Sequence, residues 1–307
     1  MKKTLLLILI VLITGCSQEP DQAACSNEDC LTIGSFNIRL FGNNGPADTQ
    51  AEVDRLVAQI HDQAAMDVVV LQEINIGSSE WQNLLLPSLE AVGYMLSGHG
   101  NYGGASPDRQ QFVVMLHKTD TIELLDEVTD LSNDTIYDDG AGCSYESVRS
   151  PTTAAFRSRT LDVEFRLYGV HLKSNRPVGD DEQCDNQIRD AQVGQILDSI
   201  RSHRAEDRNA HFIIAGDFNM DFAVPELERL RQRGYESAIQ ADCSAELLQN
   251  CTFLVPRFAG IIDHIAYSPS IKDQFTVIGQ IGEISDNQDF LDTQSDHAPV
   301  SATFSRP

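Results

Sequence analysis

The alternation of apolar and polar residues predicts a chain in which strands and helices follow one another. Residues 67–71 (DVVVL) form a continuous apolar run, typical of a strand that is buried on both faces. Residues 49–63 instead place apolar side chains at the spacing of one helix face. The same patterns predict further strands at residues 31–38, 112–117, 122–128, 152–156, 160–170, 212–215, 261–268, 275–281 and 300–304, and further helices at residues 80–92, 185–204 and 224–233.

Because the predicted strands and helices are intermixed and no internal repeat is visible, we expect a mixed α/β fold. No Pro-, Gly- or Ser-rich linker follows residue 30, so residues 31–307 are predicted to form one domain. Two stretches, residues 98–109 and 131–149, have no regular pattern and are predicted to be long loops. Loops of this length are commonly functional or mobile.

The charge of the chain narrows the possible partners. Its formal net charge is −24 at pH 7, and a strongly acidic protein repels polyanions at long range. This argues against a role built on non-specific DNA affinity through Lys and Arg. It does not exclude chemistry on phosphates, because bound divalent cations reverse the local field. The alternative interpretation is that the acidity serves solubility or adaptation to a salty medium.

The first residues are typical of an export signal. Lys2 and Lys3 precede an apolar run at residues 5–13, which is too short to span a bilayer as a stable helix. The following tetrad, residues 13–16 (ITGC), resembles the lipobox of bacterial lipoproteins, in which the signal is cut before the Cys and the Cys is acylated. An ordinary cleaved signal followed by a chance Cys16 is the alternative.

The chain is therefore predicted to have a processed and tethered amino terminus. Residues 1–15 would be a lipoprotein signal peptide, and residues 16–30 would comprise the lipidated Cys16 and a polar, Pro-containing tether. The domain at residues 31–307 would then lie outside the cytoplasm. The lipid would anchor it to a bacterial membrane, which is the outer membrane if the cell is Gram-negative.

The cysteine count agrees with export. The chain has seven cysteines, and setting aside Cys16 leaves an even number, which suggests disulfides in an exported protein. Six cysteines allow fifteen connectivities. A zinc site is the alternative, although the chain has no C-x-x-C pair. The simplest pairing joins neighbours along the chain: Cys25–Cys30, Cys143–Cys184 and Cys243–Cys251.

Side chains that can bind metals or transfer protons recur at the ends of predicted strands. Any one of them alone is more often a helix cap or a turn residue. Together they offer the carboxylate and amide oxygens that Mg²⁺ or Ca²⁺ requires and the imidazoles that exchange protons near neutral pH. These are the ingredients of metal-assisted phosphodiester hydrolysis. The residues are Asn37, Glu73, His171, Asp217, Asn219, Asp263, Asp296 and His297.

The segments around these residues resemble the endonuclease/exonuclease/phosphatase family. They read SFNIRLFG, LQE, VHLKS, GDFN, IDHI and SDHAPV, and they occur in the order of that family between residues 33 and 300. The resemblance implies a four-layer αββα sandwich, in which two mixed β-sheets are flanked by helices. It also implies a phosphoric ester hydrolase that uses Mg²⁺ or Mn²⁺, with Ca²⁺ as a further candidate.

Within this family the closer resemblance is to the pancreatic-type deoxyribonucleases. Residues 36–42 (FNIRLFG) are similar to their first motif. Residues 137–140 (YDDG), followed by Cys143 and by Arg149-Ser150-Pro151, resemble their Cys-containing loop and the Arg-x-Pro after it. Residues 171–174 (HLKS), with Cys184 further on, resemble bacterial secreted members instead. The resemblance implies a nuclease that acts on DNA.

The resemblance also assigns the metal and the attacking water. Glu73 is matched to the residue that binds the metal, with Asn37 and Asp296 close to it. Asp217 and Asn219 are matched to the residues that position the attacking water and the phosphate. Water is a poor nucleophile, so a base or a metal has to activate it.

Four further residues receive roles from the resemblance. His297 would lie beside the scissile phosphate and be oriented by Asp263, while His171 would be the second acid–base residue and Arg149 would contact a phosphate. In pancreatic-type enzymes a Glu holds the first catalytic His, whereas residues 110–111 here are both Gln. A neutral amide stabilises an imidazolium less than a carboxylate does, so His171 is predicted to be the weaker partner.

Three functions compete at this point. The first is a monomeric, envelope-anchored nuclease that acts on DNA. The second is a phosphatase or a phospholipid (sphingomyelinase-like) phosphodiesterase of the same family, which the acidity and the membrane anchor favour. The third is a non-catalytic surface receptor, but its sequence should have lost metal-binding or His residues, and none is lost. The loop at residues 98–109 offers only Tyr102 and Arg109 to grip a duplex, which argues for a flexible strand as the substrate.

Overall fold

The computed structural model describes residues 29–101, 110–131, 136–146, 148–175, 182–284 and 286–307. Its strands are β1 (Cys30–Phe41), β2 (Val68–Ile74), β3 (Tyr94–His99), β4 (Phe112–Lys118), β5 (Ile122–Leu124), β6 (Thr129–Asp130), β7 (Ile136–Asp138), β8 (Ser144–Glu146), β9 (Thr152–Ser158), β10 (Val163–His171), β11 (His211–Asp217), β12 (Glu236–Ser237), β13 (Asp263–Tyr267), β14 (Thr276–Ile281) and β15 (Val300–Ser305). Its α-helices are α1 (Gln50–Ala58), α2 (Leu86–Ala91), α3 (Glu182–Glu206), α4 (Glu228–Arg231), α5 (Pro269–Lys272) and α6 (Asn287–Thr293), and π-helical turns at Gln59–Gln63 and Trp81–Leu85 extend α1 and precede α2.

Two large sheets carry most of these strands. The first has the order β14-β15-β1-β2-β4-β3, and the second has the order β12-β13-β11-β10-β9-β5, with β6 also paired to β9. Strands β1 and β2 are parallel, as are β10 and β11, whereas their other neighbours are antiparallel. Both sheets are therefore mixed. In addition, β7 and β8 form a separate two-stranded hairpin.

The sheets pack face to face, and helices cover their outer faces. On β2, Val70 points into the core between the sheets, while Leu71 packs in the core beneath α1, α2 and α6. On β11, Ile213 faces the first sheet and Ile214 packs in the core beneath α3 and α4. Because both faces of these strands are buried, their sequences are continuously apolar. The predicted four-layer αββα sandwich is confirmed.

Several predicted elements have different bounds. The strand predicted at residues 122–128 ends at Leu124. Beyond it, the backbone N–H of Ala155 on β9 donates to the side-chain carboxylate of Asp126 and not to a backbone carbonyl of this segment. The helix predicted at residues 224–233 is a 3₁₀ turn followed by the four-residue α4. Of the first predicted loop, residues 98–99 belong to β3, and residues 102–109, with Tyr102 and Arg109, lie outside the described ranges. The second predicted loop is more regular than expected, because the β7–β8 hairpin lies in it.

Two of the three predicted disulfides are present in the structure. Cys143–Cys184 joins the β7–β8 hairpin to α3, and Cys243–Cys251 closes a short loop before β13. Cys25 lies outside the described residues, so its pairing with Cys30 remains a prediction. The same holds for the signal peptide and for lipidation at Cys16. None of the helices within the described ranges is both long and apolar enough to cross a membrane.

Removal of the Cys143–Cys184 bond should destabilise the fold. The bond joins residues 41 apart, so the double substitution to Ala should lower the free energy of unfolding by about 4 kcal/mol, because the unfolded chain gains loop entropy. The matched control, loss of Cys243–Cys251 with a separation of 8, should cost about 2.5 kcal/mol. Urea unfolding measures both. Free thiol labelling of Cys143 and Cys184 in the non-reduced native protein would contradict the prediction.

Candidate active site

Three neighbouring strands of the second sheet place their site residues side by side. His171 ends β10 and pairs in register with Asp217, which ends β11. Asp217 in turn pairs with Asp263, the first residue of antiparallel β13. Because carboxyl ends of parallel strands and the amino end of an antiparallel neighbour share one sheet edge, all three residues lie in a row. Each of them is almost completely buried.

The first sheet contributes Asn37 from β1 and Glu73 from β2. The register of the two strands shifts next to both residues, and Glu73 adopts a left-handed backbone conformation with φ of 61°. Such a conformation costs a non-glycine residue on the order of 1–3 kcal/mol and is characteristic of functional sites. It turns the carboxylate of Glu73 towards β1, where it accepts hydrogen bonds from Leu40 N at 2.9 Å and Asn37 Nδ2 at 3.4 Å.

The turn after β11 presents Asp217 and Asn219 together. Gly216 precedes them with φ of 152°, and a Cβ at this position would lie 2.0 Å from the carbonyl oxygen of Val170, so only glycine fits. Asn219 is left-handed, with φ of 55°, which Asn tolerates better than most residues. Its backbone N–H donates to Asp217 Oδ1 at 2.7 Å, and its side-chain Nδ2 donates to Leu172 O at 3.0 Å.

His297 and Asp263 form a buried hydrogen-bonded pair. The distance between His297 Nδ1 and Asp263 Oδ2 is 2.8 Å, so the carboxylate fixes the ring and leaves Nε2 for chemistry. Thr252 Oγ1 accepts the backbone N–H of Asp263 at 3.0 Å, and Ser295 Oγ accepts that of His297 at 3.1 Å. Ser295 also donates to Asn37 O at 2.6 Å, which ties the pair to the first sheet.

Asp217 lies at the centre of the cluster. Its Oδ2 accepts a hydrogen bond from Asn37 Nδ2 at 3.0 Å and lies 3.4 Å from His171 Nε2 and 3.8 Å from His297 Nε2. Burial raises the pKa of this carboxyl group, and the nearby charge of Asp263 adds to the shift. Asp217 is therefore a much better proton acceptor near neutral pH than an exposed aspartate.

The two histidines are tuned in opposite directions. Burial, and then the positive charge of Arg149, lower the pKa of His171 well below its usual value, so this ring is neutral at pH 7. Burial also acts to lower the pKa of His297, but the carboxylates of Asp263 and Asp217 outweigh it and raise that pKa, so this ring holds a proton. Titratable groups whose pKa values are driven apart in one site are typical of acid–base pairs.

His171 lacks the carboxylate that holds His297. Among the described residues its buried Nδ1 has no hydrogen-bond partner. Gln111, one of the two glutamines found where a Glu was expected from the family, accepts a hydrogen bond from Arg149 Nη1 at 2.6 Å. Arg149 also donates through Nε to His171 O at 3.2 Å and through Nη2 to Leu172 O at 3.1 Å. Arg149, the predicted phosphate ligand, therefore holds the backbone of residues 171–172 in place in this structure.

Side chains of helix α3 also hold the segment that follows His171, and no motif in the sequence indicated this. Lys173 Nζ and Asp185 Oδ1 form an ion pair at 2.9 Å, and both side chains are buried. Arg189 Nη1 donates to Lys173 O at 3.0 Å, while Gln192 Oε1 accepts from Lys173 N at 2.9 Å and Gln192 Nε2 donates to Arg149 O at 2.8 Å. Asp185, Arg189 and Gln192 recur at helical spacing, which was the available signal.

Asp296 completes the group at its more exposed rim. Its Oδ1 lies 4.0 Å from His297 Nε2, and Arg39 Nε lies 3.5 Å from its Oδ2. Arg39 is about half exposed and was not assigned a role from sequence, although it follows Asn37 in the first motif. The structure thus brings all the predicted catalytic and metal-binding residues into one cluster. By contrast, His117 and His264 hydrogen-bond to serines within the core, in agreement with a structural role.

The oxygen atoms of this cluster fit a divalent cation. Asn37 Oδ1 is buried and has no hydrogen-bond partner among the described residues, which is costly unless a cation or water takes it. Glu73 and Asp296 add carboxylates, so the donor set suits a hard ion. Asp217, Asp263 and His297 also offer donor atoms within 4.8 Å of one another. Because Asp263 and His297 are hydrogen-bonded to each other, we assign these three residues to proton transfer and not to metal binding.

Residues 34–297 match the model of the endonuclease/exonuclease/phosphatase family, and the chain belongs to this family of phosphoric ester hydrolases. No curated protein sequence matches the chain. The fold is similar to the human Nocturnin catalytic domain with bound sulfate anion, with a TM-score of 0.64, 15% identity and coverage of 91% of this chain and 95% of that chain.

Two further solved structures have a similar fold. D. rerio TDP2 complexed with single-strand DNA product has a TM-score of 0.59, 18% identity and coverage of 90% of this chain and 98% of that chain. The Bacteroides thetaiotaomicron mannosyl-6-phosphatase has a TM-score of 0.56, 18% identity and coverage of 89% and 98%. Both likenesses show the shared fold.

Proposed function

We propose that this protein is a divalent-metal-dependent phosphodiester hydrolase that cleaves DNA at the cell envelope. The observation that carries the proposal is the position of Asp217 between two histidines of opposite pKa shift, beside an oxygen-rich set of metal ligands. An acid, a base and a cation-binding edge within one buried cluster are the requirements for attack of water on a phosphodiester.

The protons move among three side chains in the proposed mechanism. Asp217, oriented by the N–H groups of Asn219 and Asn37, accepts a proton as water attacks phosphorus. The imidazolium of His297, held by Asp263, lies beside the phosphate and gives a proton to the oxygen that departs. Neutral His171, 3.4 Å from Asp217, is the second group that exchanges a proton with this carboxylate.

Glu73, Asn37 and Asp296 would hold the divalent ion. When bound, it neutralises charge on the phosphate and lowers the pKa of water. The side-chain amide nitrogen of Asn219 carries two hydrogens. One of them donates to Leu172 O, and the other would donate to a phosphate oxygen. Arg149, which is bonded to the backbone of residues 171–172, adds positive charge next to the site.

DNA as the substrate and the envelope as the location rest on separate observations. The segments FNIRLFG and Arg149-Ser150-Pro151 resemble those of deoxyribonucleases, and a TDP2 of the same fold has been solved with single-strand DNA product. The lipobox-like tetrad ending at Cys16 and the two disulfides support an exported, lipid-anchored protein. The net charge of −24 favours the competing candidate, a phosphatase or phospholipid phosphodiesterase.

Single-stranded DNA should be cleaved in preference to long duplex. The net charge of −24 removes the long-range attraction that duplex binders use, whereas a flexible strand can adapt to a small site. The measurement is kcat/KM on matched single- and double-stranded oligonucleotides at two salt concentrations. We expect a higher value on the single strand and a shallower salt dependence than that of a basic nuclease, because fewer phosphate contacts release fewer counterions.

The alternatives give different outcomes in the same assay. A clear duplex preference with a steep salt penalty would reject the single-strand prediction. If neither oligonucleotide is cleaved while sphingomyelin or a sugar phosphate is turned over, the competing candidate replaces the nuclease. His297→Ala, run in parallel, shows whether any DNA cleavage arises at this site or from a contaminating nuclease.

A further inference from the structure

The loop at residues 252–260 lies directly against the active site. The ring of Phe253 packs on the ring of His297, with 5.0 Å between the centroids. The next residue, Leu254, is buried and donates its backbone N–H to Asp296 O at 2.8 Å. The base of the loop is therefore fixed to the segment that carries a proposed metal ligand and the proposed acid.

The far end of this loop is also ordered by its own hydrogen bonds. Phe253 N donates to Gly260 O at 2.9 Å, which closes the loop, and residues Pro256–Phe258 form a 3₁₀ turn in which Phe258 N donates to Val255 O at 2.8 Å. At this turn Phe258 is 63% exposed, the highest value among the exposed large hydrophobic residues of the described chain. A large apolar ring is thus held in solvent on a constrained loop.

Phe258 is accompanied by a cation. The guanidinium of Arg257 lies over its ring, with 5.4 Å from Cζ to the ring centroid. This cation–π contact orients the ring without burying it. An exposed aromatic ring next to an Arg is the combination by which proteins bind single-stranded nucleic acid, since bases stack on the ring and the Arg meets the backbone charge.

The reach of the chain limits which part of a substrate Phe258 can meet. Phe258 comes five positions after Phe253, so the two backbone positions are at most about 18 Å apart, at no more than about 3.6 Å per residue. Phe253 itself contacts His297, which lies beside the scissile phosphate in the proposed mechanism. Phe258 therefore lies within a few nucleotide lengths of the proposed cleavage position.

We propose that Phe258 and Arg257 form a base-stacking subsite for single-stranded nucleic acid next to the scissile phosphate. This inference rests on the proposed function. It adds Phe258 as a residue that would determine which substrates the enzyme prefers. Insertion into a lipid surface is less favoured, because only one large apolar side chain is exposed at the turn.

The test compares a long and a short substrate in the same variants. Phe258→Ala should raise KM for a single-stranded oligonucleotide by about 5- to 100-fold, the factor expected for loss of one stacked base. The fall in kcat/KM should be at least about tenfold larger on the oligonucleotide than on methyl p-nitrophenyl phosphate, which has no flanking base. Phe258→Tyr should retain the wild-type KM. Ile278→Ala, at an exposed site on β14, is the control and should change neither value.

The possible results of this experiment distinguish failure of the proposed subsite from failure of the proposed nuclease function. If wild type cleaves the oligonucleotide and Phe258→Ala leaves its KM unchanged, the subsite is rejected and the nuclease stands. If wild type hydrolyses only the small diester, the DNA nuclease itself is rejected and the subsite with it. If Phe258→Ala loses binding to phosphatidylcholine vesicles but not to the oligonucleotide, the ring contacts lipid and the subsite is also rejected.

Discussion

Replacement of His297 by Ala should lower kcat by at least about 100-fold, the usual contribution of one general acid or base. Its imidazole is held by Asp263 at 2.8 Å and lies 3.8 Å from Asp217, and the neighbouring carboxylates raise its pKa so that it carries a proton to give. Alanine removes that proton and also removes positive charge from a site rich in carboxylates.

The assay needs a substrate whose hydrolysis reports the chemistry alone. Methyl p-nitrophenyl phosphate is suitable, and thermal unfolding of each variant shows whether the fold persists. Asp263→Asn should give a smaller loss, because an amide can still orient the ring but cannot stabilise its charge. His203→Ala, on α3 outside the site, is the matched control and should retain wild-type kcat. Near-normal turnover by His297→Ala would remove this residue from the mechanism.

Much of this site could be predicted because its residues end strands. The apolar runs located β2, β10 and β11, and the residues that follow such runs meet at one sheet edge in a mixed sheet. The exact pairing of His171 with Asp217 and of Asp217 with Asp263 then follows from strand register. The family resemblance supplied the remaining step, since it grouped Asn37 and Glu73 with these residues, and the structure places both on the other sheet.

Other features depend on contacts that no local pattern encodes. The left-handed conformation of Glu73 is imposed by the register shift between β1 and β2, and nothing in the tripeptide LQE indicates it. Helix α6 was not predicted because a single buried side chain, Phe290, gives no periodic stripe. The position of the turn that carries Phe258 likewise depends on the tertiary contact of Phe253 with His297. Side chains that act through tertiary contacts alone leave only weak signals in sequence.

The proposed metal site has a stronger basis than its carboxylates alone. Acidic clusters are common on protein surfaces, but Asn37 is completely buried and its Oδ1 has no hydrogen-bond partner within the described ranges. Its Nδ2 group is already committed to Asp217, so the amide cannot turn to satisfy its oxygen without losing that bond. A cation at Oδ1, shared with Glu73, would satisfy the oxygen and offset the negative charge beside it.

Removal of divalent metal should therefore abolish hydrolysis. In excess EDTA we expect turnover to fall by about 1,000-fold or more, since the ion stabilises transition-state charge by several kcal/mol, and to return on addition of Mg²⁺ or Mn²⁺. Glu73→Gln should raise the metal concentration for half-maximal activity by at least about tenfold, because an amide loses the charge that attracts the cation. Asp289→Asn, an exposed carboxylate paired with Arg55, is the control and should leave that concentration unchanged. Full turnover in excess EDTA would show that the residues around Asp217 hydrolyse the substrate without a metal.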